Sequence, residues 1–328
     1  MKAGFLSTSL ALACLALLAP ASLGAQHAHQ STTLVAAHQA INTQPQSNPS
    51  VETVSRLAAA GDPVAQNNLG FYYAAGKGVP QSYQQALKWL TAAASTGFAP
   101  AEVNLAVLYE KGWMGKVDLE RATHWYLSAA QHGSAAAQCK LGNFYHSAHG
   151  VPRDDAAAAE WYRKAAEQGN AAAENNLGAM YHHGMGVPQD YAQALDWYRK
   201  AAAQGLAEAA SNVGVMYEDG LGVERDYAQA VAWYRDGAMH GASRGQFNLA
   251  NMYSFGRGVP LDYITAYMWF SRAASAGDSL AARSLKSLAT VMTPHQKEQA
   301  QERLAEGQNA SISETPPHPF DSDTLSQK

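Results

Sequence analysis

Six tryptophans, Trp89, Trp125, Trp161, Trp197, Trp233 and Trp269, follow one another at a constant step of thirty-six residues. Tyr73, Tyr109, Tyr145, Tyr181, Tyr217 and Tyr253 keep the same step, as do Ala86, Ala122, Ala158, Ala194, Ala230 and Ala266. A glycine series, Gly61, Gly97, Gly133, Gly169, Gly205, Gly241 and Gly277, runs in phase with them. Chance does not hold four registers in phase. A chain built this way is a stack of one supersecondary unit, each copy burying its apolar face against the next.

The unit can be read from residues 171–205. Leu177, Met180 and Tyr181 fall at helical spacing, and His183, Gly184, Met185, Gly186, Val187 and Pro188 then interrupt the pattern. Asp190 stands where a helix N-cap belongs, and the same phase carries Ser82, Asp118, Asp154, Asp226 and Asp262, all able to accept first-turn N–H groups. A second helix follows, with Ala194, Trp197, Tyr198, Ala201 and Ala202 on one stripe, and Gly205 closes it. The Trp, Tyr, Ala and Gly series therefore read as core and caps rather than as a cofactor box.

This pattern, LGAMYHHGMGVPQDYAQALDWYRKAAAQG at 177–205, closely resembles the Sel-1-like repeat family of tetratricopeptide-related solenoids. The resemblance covers roughly residues 51–306. It implies an all-α fold: a right-handed α-solenoid of stacked helix-turn-helix repeats, six 36-residue units plus a C-terminal capping region. Unit two departs from the pattern, because Gly112, Trp113, Met114, Gly115 and Lys116 replace the usual GxGV turn, and in unit three Ala148 replaces the first loop glycine. The solenoid is expected over 51–281. Residues 282–306 lose the Trp and Gly phase and carry more charge, as terminal capping helices facing water do.

Composition sets the surroundings. Of the 328 residues, 47% are hydrophobic and 15% charged, which is too apolar for a disordered chain. Lys and Arg number 23 against 27 Asp and Glu, a net charge of -4, so there is no basic surface for nucleic acid. Residues 1–25 read as a cleaved signal peptide: Lys2, an apolar run from Phe5 through Leu18, then Pro20 and small residues, with cleavage near Gly24 or Ala25. No later apolar run approaches the ~20 residues of a membrane span, so the mature chain is expected in the periplasm or outside the cell, without membrane insertion. Ala11, Leu12 and Ala13 make a poor lipobox before Cys14, and with Cys14 removed only Cys139 remains, so no internal disulfide is expected. Residues 26–50 and 307–328 are rich in Gln, Ser, Asn and Pro and read as a disordered linker and tail.

No catalytic arrangement is found. No serine is followed three positions on by lysine, and HExxH, the GxxxxGK[ST] phosphate loop and CxxC are absent. The serine-lysine pair matters because cysteine-rich exported relatives have been linked to β-lactams. No catalysis, cofactor or metal is therefore assigned. His146 and His182 share one phase with Glu110 and Glu218, with His149 and His183 beside them, but stacked helices lie ~9 Å apart, too far for easy shared ligation.

In such solenoids, the resemblance implies, the first helices line the inner curve. Positions off the Leu-Gly-Tyr stripe would then face a partner: Phe71, Val107, Glu110, Asn143, His146, Asn175, His182, His183, Val215, Glu218, Asp219, Asn251 and Phe255. Scaffold positions repeat while these vary, as a directional binding track requires. The expected function is an exported scaffold, adaptor or regulator holding a protein or peptide. The alternatives are a cell-wall glycan binder using aromatics such as Trp113 and Phe255, and a β-lactam-hydrolysing enzyme.

Overall fold

The computed structural model describes residues 50–305; the expected signal peptide at 1–25, nearly all of the expected linker at 26–50 and the expected tail at 307–328 lie outside the described residues. Fifteen helices and no strand occur among the described residues. They are α1 (Val51–Ala59), α2 (Pro63–Ala75), α3 (Tyr83–Ala94), α4 (Ala99–Glu110), α5 (Leu119–Gln131), α6 (Ala135–Ser147), α7 (Asp155–Glu167) and α8 (Ala171–His183). The series continues with α9 (Tyr191–Ala203), α10 (Ala207–Asp219), α11 (Tyr227–Met239), α12 (Ser243–Phe255), α13 (Tyr263–Ser275), α14 (Ser279–Val291) and α15 (Pro294–Ala305). Each repeat is a helix pair from α2/α3 to α12/α13, the organisation of an all-α solenoid. The described residues form two compact units: one runs to Leu177 and includes 185–187, the other comprises 178–184 and the described residues from Pro188 onward.

The six caps read from the sequence all form. Ser82, Asp118, Asp154, Asp190, Asp226 and Asp262 each accept, through the side chain, the N–H of the third helical residue behind them. Each such bond is worth ~1 kcal/mol. The main-chain N–H of the same residue donates to the carbonyl of the repeat tyrosine, as from Asp226 to Tyr217 at 3.0 Å. Unit two keeps this closure despite its different loop sequence, with Asp118 donating to Tyr109 at 3.0 Å.

Loop glycines serve two needs. The second one is a contact point: a Cβ on Gly258 would sit 2.3 Å from the Tyr227 carbonyl oxygen of the preceding repeat, so no side chain fits. The first loop position is left-handed, and there Ala148, with φ 56°, is the one non-glycine residue of positive φ among those described.

The core corrects one expectation. Tyr126, Tyr162, Tyr198 and Tyr234 are buried, whereas Trp89, Trp125, Trp161 and Trp197 are only half-buried; of the tryptophans, Trp233 and Trp269 alone are fully enclosed. The reason lies across the helix pair. Each first helix of units three to five carries a glycine, and the tyrosine ring lies flat upon it: a Cβ on Gly214 would come within 2.5 Å of Tyr234. The neighbouring tryptophans sit at the margin with cations over their faces, Lys200 at 3.8 Å from the Trp197 centroid and Lys164 at 4.3 Å from Trp161.

The C-terminal pair begins at Ser279, three residues before the boundary drawn from the sequence. Its second helix, α15, is started by a capping box in which Gln296 N–H donates to Thr293 Oγ1 and Thr293 N–H donates to Gln296 Oε1. It packs against α13.

Candidate functional site

The first-helix side chains proposed from the sequence divide into engaged, buried and exposed. In the first unit, Glu110 at the end of α4 accepts the Tyr126 hydroxyl at 2.6 Å and pairs with Lys140 Nζ at 2.9 Å. Asn143 on α6 accepts from the Tyr162 hydroxyl at 2.7 Å and from Asn176 Nδ2 at 3.2 Å. His146 pairs through Nδ1 with Asp155 Oδ1 at 2.8 Å. Burial pushes the Asp155 pKa up, but hydrogen bonds from Arg153 and His146 outweigh it and hold the carboxyl below its usual range. Phe71 and Asn175 are half-buried. Val107 is a correction: at 4% exposure it belongs to a core cluster with Ala106 and Tyr126 and offers nothing to a partner. In unit two this position turns inward.

In the second unit, half-buried His182 stacks on exposed His183 with centroids 4.4 Å apart, and meets the rings of Tyr191 and Tyr198 edge-on. Burial, then the charges of His183 and Arg244, depress His182 to about 4, and burial followed by Arg244 also lowers His183. Both imidazoles are therefore neutral at pH 7. Glu218 on α10 accepts the Tyr234 hydroxyl at 2.6 Å and lies 3.6 Å from Arg257. Val215 and Asn251 are half-buried, and Asp219 and Phe255 are exposed, Phe255 at 66%. Arg257 lies over the Phe255 ring at 5.4 Å.

The His/Glu row does not assemble ligands. Among the described residues no group of three His, Cys, Asp or Glu side chains converges, because Glu110, His146 and Glu218 are each held by partners within their own or the adjoining repeat. Trp113, offered from the sequence as a sugar-stacking aromatic, is half-buried, stacked on Tyr83 at 5.5 Å and packed against two core clusters. Cys139 is fully buried on α6.

Three features went unread in the sequence. The second aromatic of the Trp-Tyr pair holds the first-helix row through its hydroxyl, a role visible only once Tyr126 and Glu110 are seen across the helix pair. A second link joins Glu102, 1% exposed, to the Ser128 hydroxyl 26 residues on at 2.6 Å and to His132 Nδ1 30 residues on at 2.9 Å, and the corresponding Gln138 to Gln168, also 30 residues on, at 2.7 Å. The third is a column of asparagines, Asn68, Asn104, Asn176, Asn212 and Asn248, in the repeat phase and interrupted by Lys140. Its signal was the thirty-six residue step itself.

The fold and these rows define a class: a helix-turn-helix repeat protein built as an all-α solenoid. The Sel1 repeat model matches six times, over residues 63–98, 99–134, 135–170, 171–206, 207–241 and 243–278, and the chain belongs to that family. It is similar to a protective antigen of uropathogenic Escherichia coli with an SLR fold, at 38% identity and TM-score 0.70, over 79% of this chain and 57% of that one. It is also similar to a Sel1 repeat protein from Oxalobacter formigenes, at 34% identity and TM-score 0.64, over 78% of this chain and 75% of that one. Among curated proteins no match was found. Repeat folds of this kind commonly mediate protein–protein interaction. No helix among the described residues is long and apolar enough to cross a membrane.

Proposed function

We propose that this chain is an exported, non-catalytic scaffold that binds a protein or peptide partner on its first-helix face, in the periplasm or outside the cell. One observation carries the reading: on a scaffold repeated in cap, loop and core, the exposed first-helix positions change from unit to unit, from His183 to Asp219 to Phe255. Pure packing requires no such change, and a partner read in one direction does. Export rests on the apolar segment within residues 1–25.

Crosslinking in the native envelope followed by mass spectrometry tests the partner, and amino-terminal sequencing of the fractionated protein tests export. Asp219→Lys and Phe255→Ala are expected to weaken capture, while Asp196→Lys on the exposed side of α9 leaves it intact. Arg199 is unsuited as that control because its guanidinium donates to Tyr217 of the next repeat. Normal capture by both first-helix variants places the surface elsewhere, and retention of Met1 in a cytoplasmic product rules out export. The exposed Phe255 ring favours a second reading, a cell-wall glycan stacked on this face. Binding to purified cell-wall polymer that is lost in Phe255→Ala, without protein capture, decides for it.

A further inference from the structure

Arg244, in the first turn of α12, is exposed and takes part in no ion pair among the described residues. Its side chain makes one hydrogen bond there, from Nη1 to Asn212 Oδ1 on α10 at 3.3 Å. A guanidinium carries five N–H donors in a planar fork, so most of its capacity is unspent. Its charge also acts on His182, His183, Tyr198 and Tyr234, which lie on α8, α9 and α11. α10 and α12 pack side by side beneath it.

None of those four groups supplies a counter-charge. The two imidazoles are neutral at pH 7, and burial raises the pKa of both tyrosine hydroxyls, so none of the four carries negative charge. Glu218, the carboxylate bound to Tyr234, already has Tyr234 and Arg257 as partners. Asp219 is the remaining acidic group whose charge reaches Tyr234. One repeat beyond Asn212 lies Asn248, half-buried, whose amide offers both donors and an acceptor of the kind a peptide backbone can meet.

We propose that Arg244 anchors an acidic side chain of an extended partner segment, its guanidinium fork taking an Asp or Glu carboxylate beside the Asn212 amide. Charge complementarity selects the occupant: an exposed arginine in no ion pair, with one hydrogen bond to the Asn212 side chain, fits a planar anion bidentately. A singly charged carboxylate fits better than a dianionic phosphate, because Glu218 and Asp219 belong to the same neighbourhood and repel the second charge more strongly. The inference rests on the reading of the first-helix face as the partner surface.

The test is the full chain, fluorescently labelled, on an array of random-sequence peptides anchored by their C termini, which leaves side-chain carboxylates as the peptides' only ones. The wild type is expected to select peptides with Asp or Glu at a fixed position relative to the other preferred residues. Arg244→Gln should weaken capture of those peptides about ten- to a hundredfold, the range for a charge-assisted pair. Arg244→Glu should turn the preference towards Lys and Arg, with circular dichroism unchanged because the side chain is exposed. Phosphoserine peptides preferred over glutamate ones overturn the carboxylate assignment. Peptides bound without acidic preference, or with that preference intact in Arg244→Gln, overturn the anchor while the partner surface stands. No peptide bound by the wild type brings down both.

Discussion

Glu218→Lys separates a groove residue from a structural one. The Tyr234 ring is fully buried, lies flat on Gly214 and points its hydroxyl at Glu218 Oε2, 2.6 Å away. Substituting lysine removes the acceptor and leaves a buried O–H with nothing to receive it, which costs ~1–3 kcal/mol. Loss of the 3.6 Å contact to Arg257, whose side chain is 52% exposed, adds less than ~1 kcal/mol. The sum, ~1–4 kcal/mol, corresponds to a fall in Tm of about 2–4 °C per kcal/mol for a domain of this size. Asp219→Lys, one residue on and exposed, should stay within ~0.5 kcal/mol of wild type. Urea denaturation followed by circular dichroism measures both, and amide hydrogen exchange localises the loss to α10 and α11. Tyr234→Phe closes the cycle: with Glu218→Lys it should show a coupling of roughly 1.5–3 kcal/mol, because each single change breaks the same bond. If Glu218→Lys unfolds with Asp219→Lys and the coupling is zero, the hydroxyl does not depend on this carboxylate and the reasoning fails.

Other outcomes follow from the same geometry. Ala148→Gly relieves a left-handed residue costing ~1–2 kcal/mol and gives back ~0.4–1 kcal/mol of unfolded-chain entropy, so a gain of up to about 1.6 kcal/mol is expected in denaturant titration. Tyr198→Ala should cost ~3–5 kcal/mol and Trp197→Ala distinctly less, since the tyrosine is 2% exposed and the tryptophan half-buried; equal losses on thermal unfolding would contradict this order. His182 titrates near 4 when folded and near 6.5 when unfolded, so the unfolded chain takes up the proton first and stability declines as pH falls from about 6.5 to 4. Partial exposure of the ring limits that decline to ~1–2 kcal/mol, and stability against pH should flatten over this window in His182→Gln.

The fold was legible because its determinants are local and periodic. Asp190 caps α9 whatever lies around it, since the bond it makes is to Gln193 three residues on, and the same short-range chemistry recurs at every pair. Repetition also exposes the odd positions: Ala148 stands against five glycines, Gly76, Gly112, Gly184, Gly220 and Gly256, in the same phase, all left-handed. What the period did not convey is how far each side chain lies from the helix-pair seam. Trp197 and Tyr198 are adjacent, equally repeated and equally apolar in a stripe, yet the rotation between them puts the tyrosine over Gly178 and leaves the tryptophan at the margin under Lys200.

The candidate face was legible to a lesser degree, for a physical reason that separates its residues. Val107 and Val215 share one phase, but α4 has Val103, Ala106 and Val107 all enclosed, while α10 leaves Val215 half-open. Burial at a repeated position thus depends on the bulk of neighbouring units, which one unit's sequence does not contain. Charge behaves the same way. Glu110 and Glu218 read as free acidic groups until a tyrosine sixteen residues on is seen to hold each of them, whereas Arg244 drew no notice because arginine is ordinary on a helix surface. The surface left for recognition is therefore what remains after the repeats have satisfied one another. On the proposed reading that remainder includes, in the second unit, His183, Asp219, Phe255 and the guanidinium of Arg244.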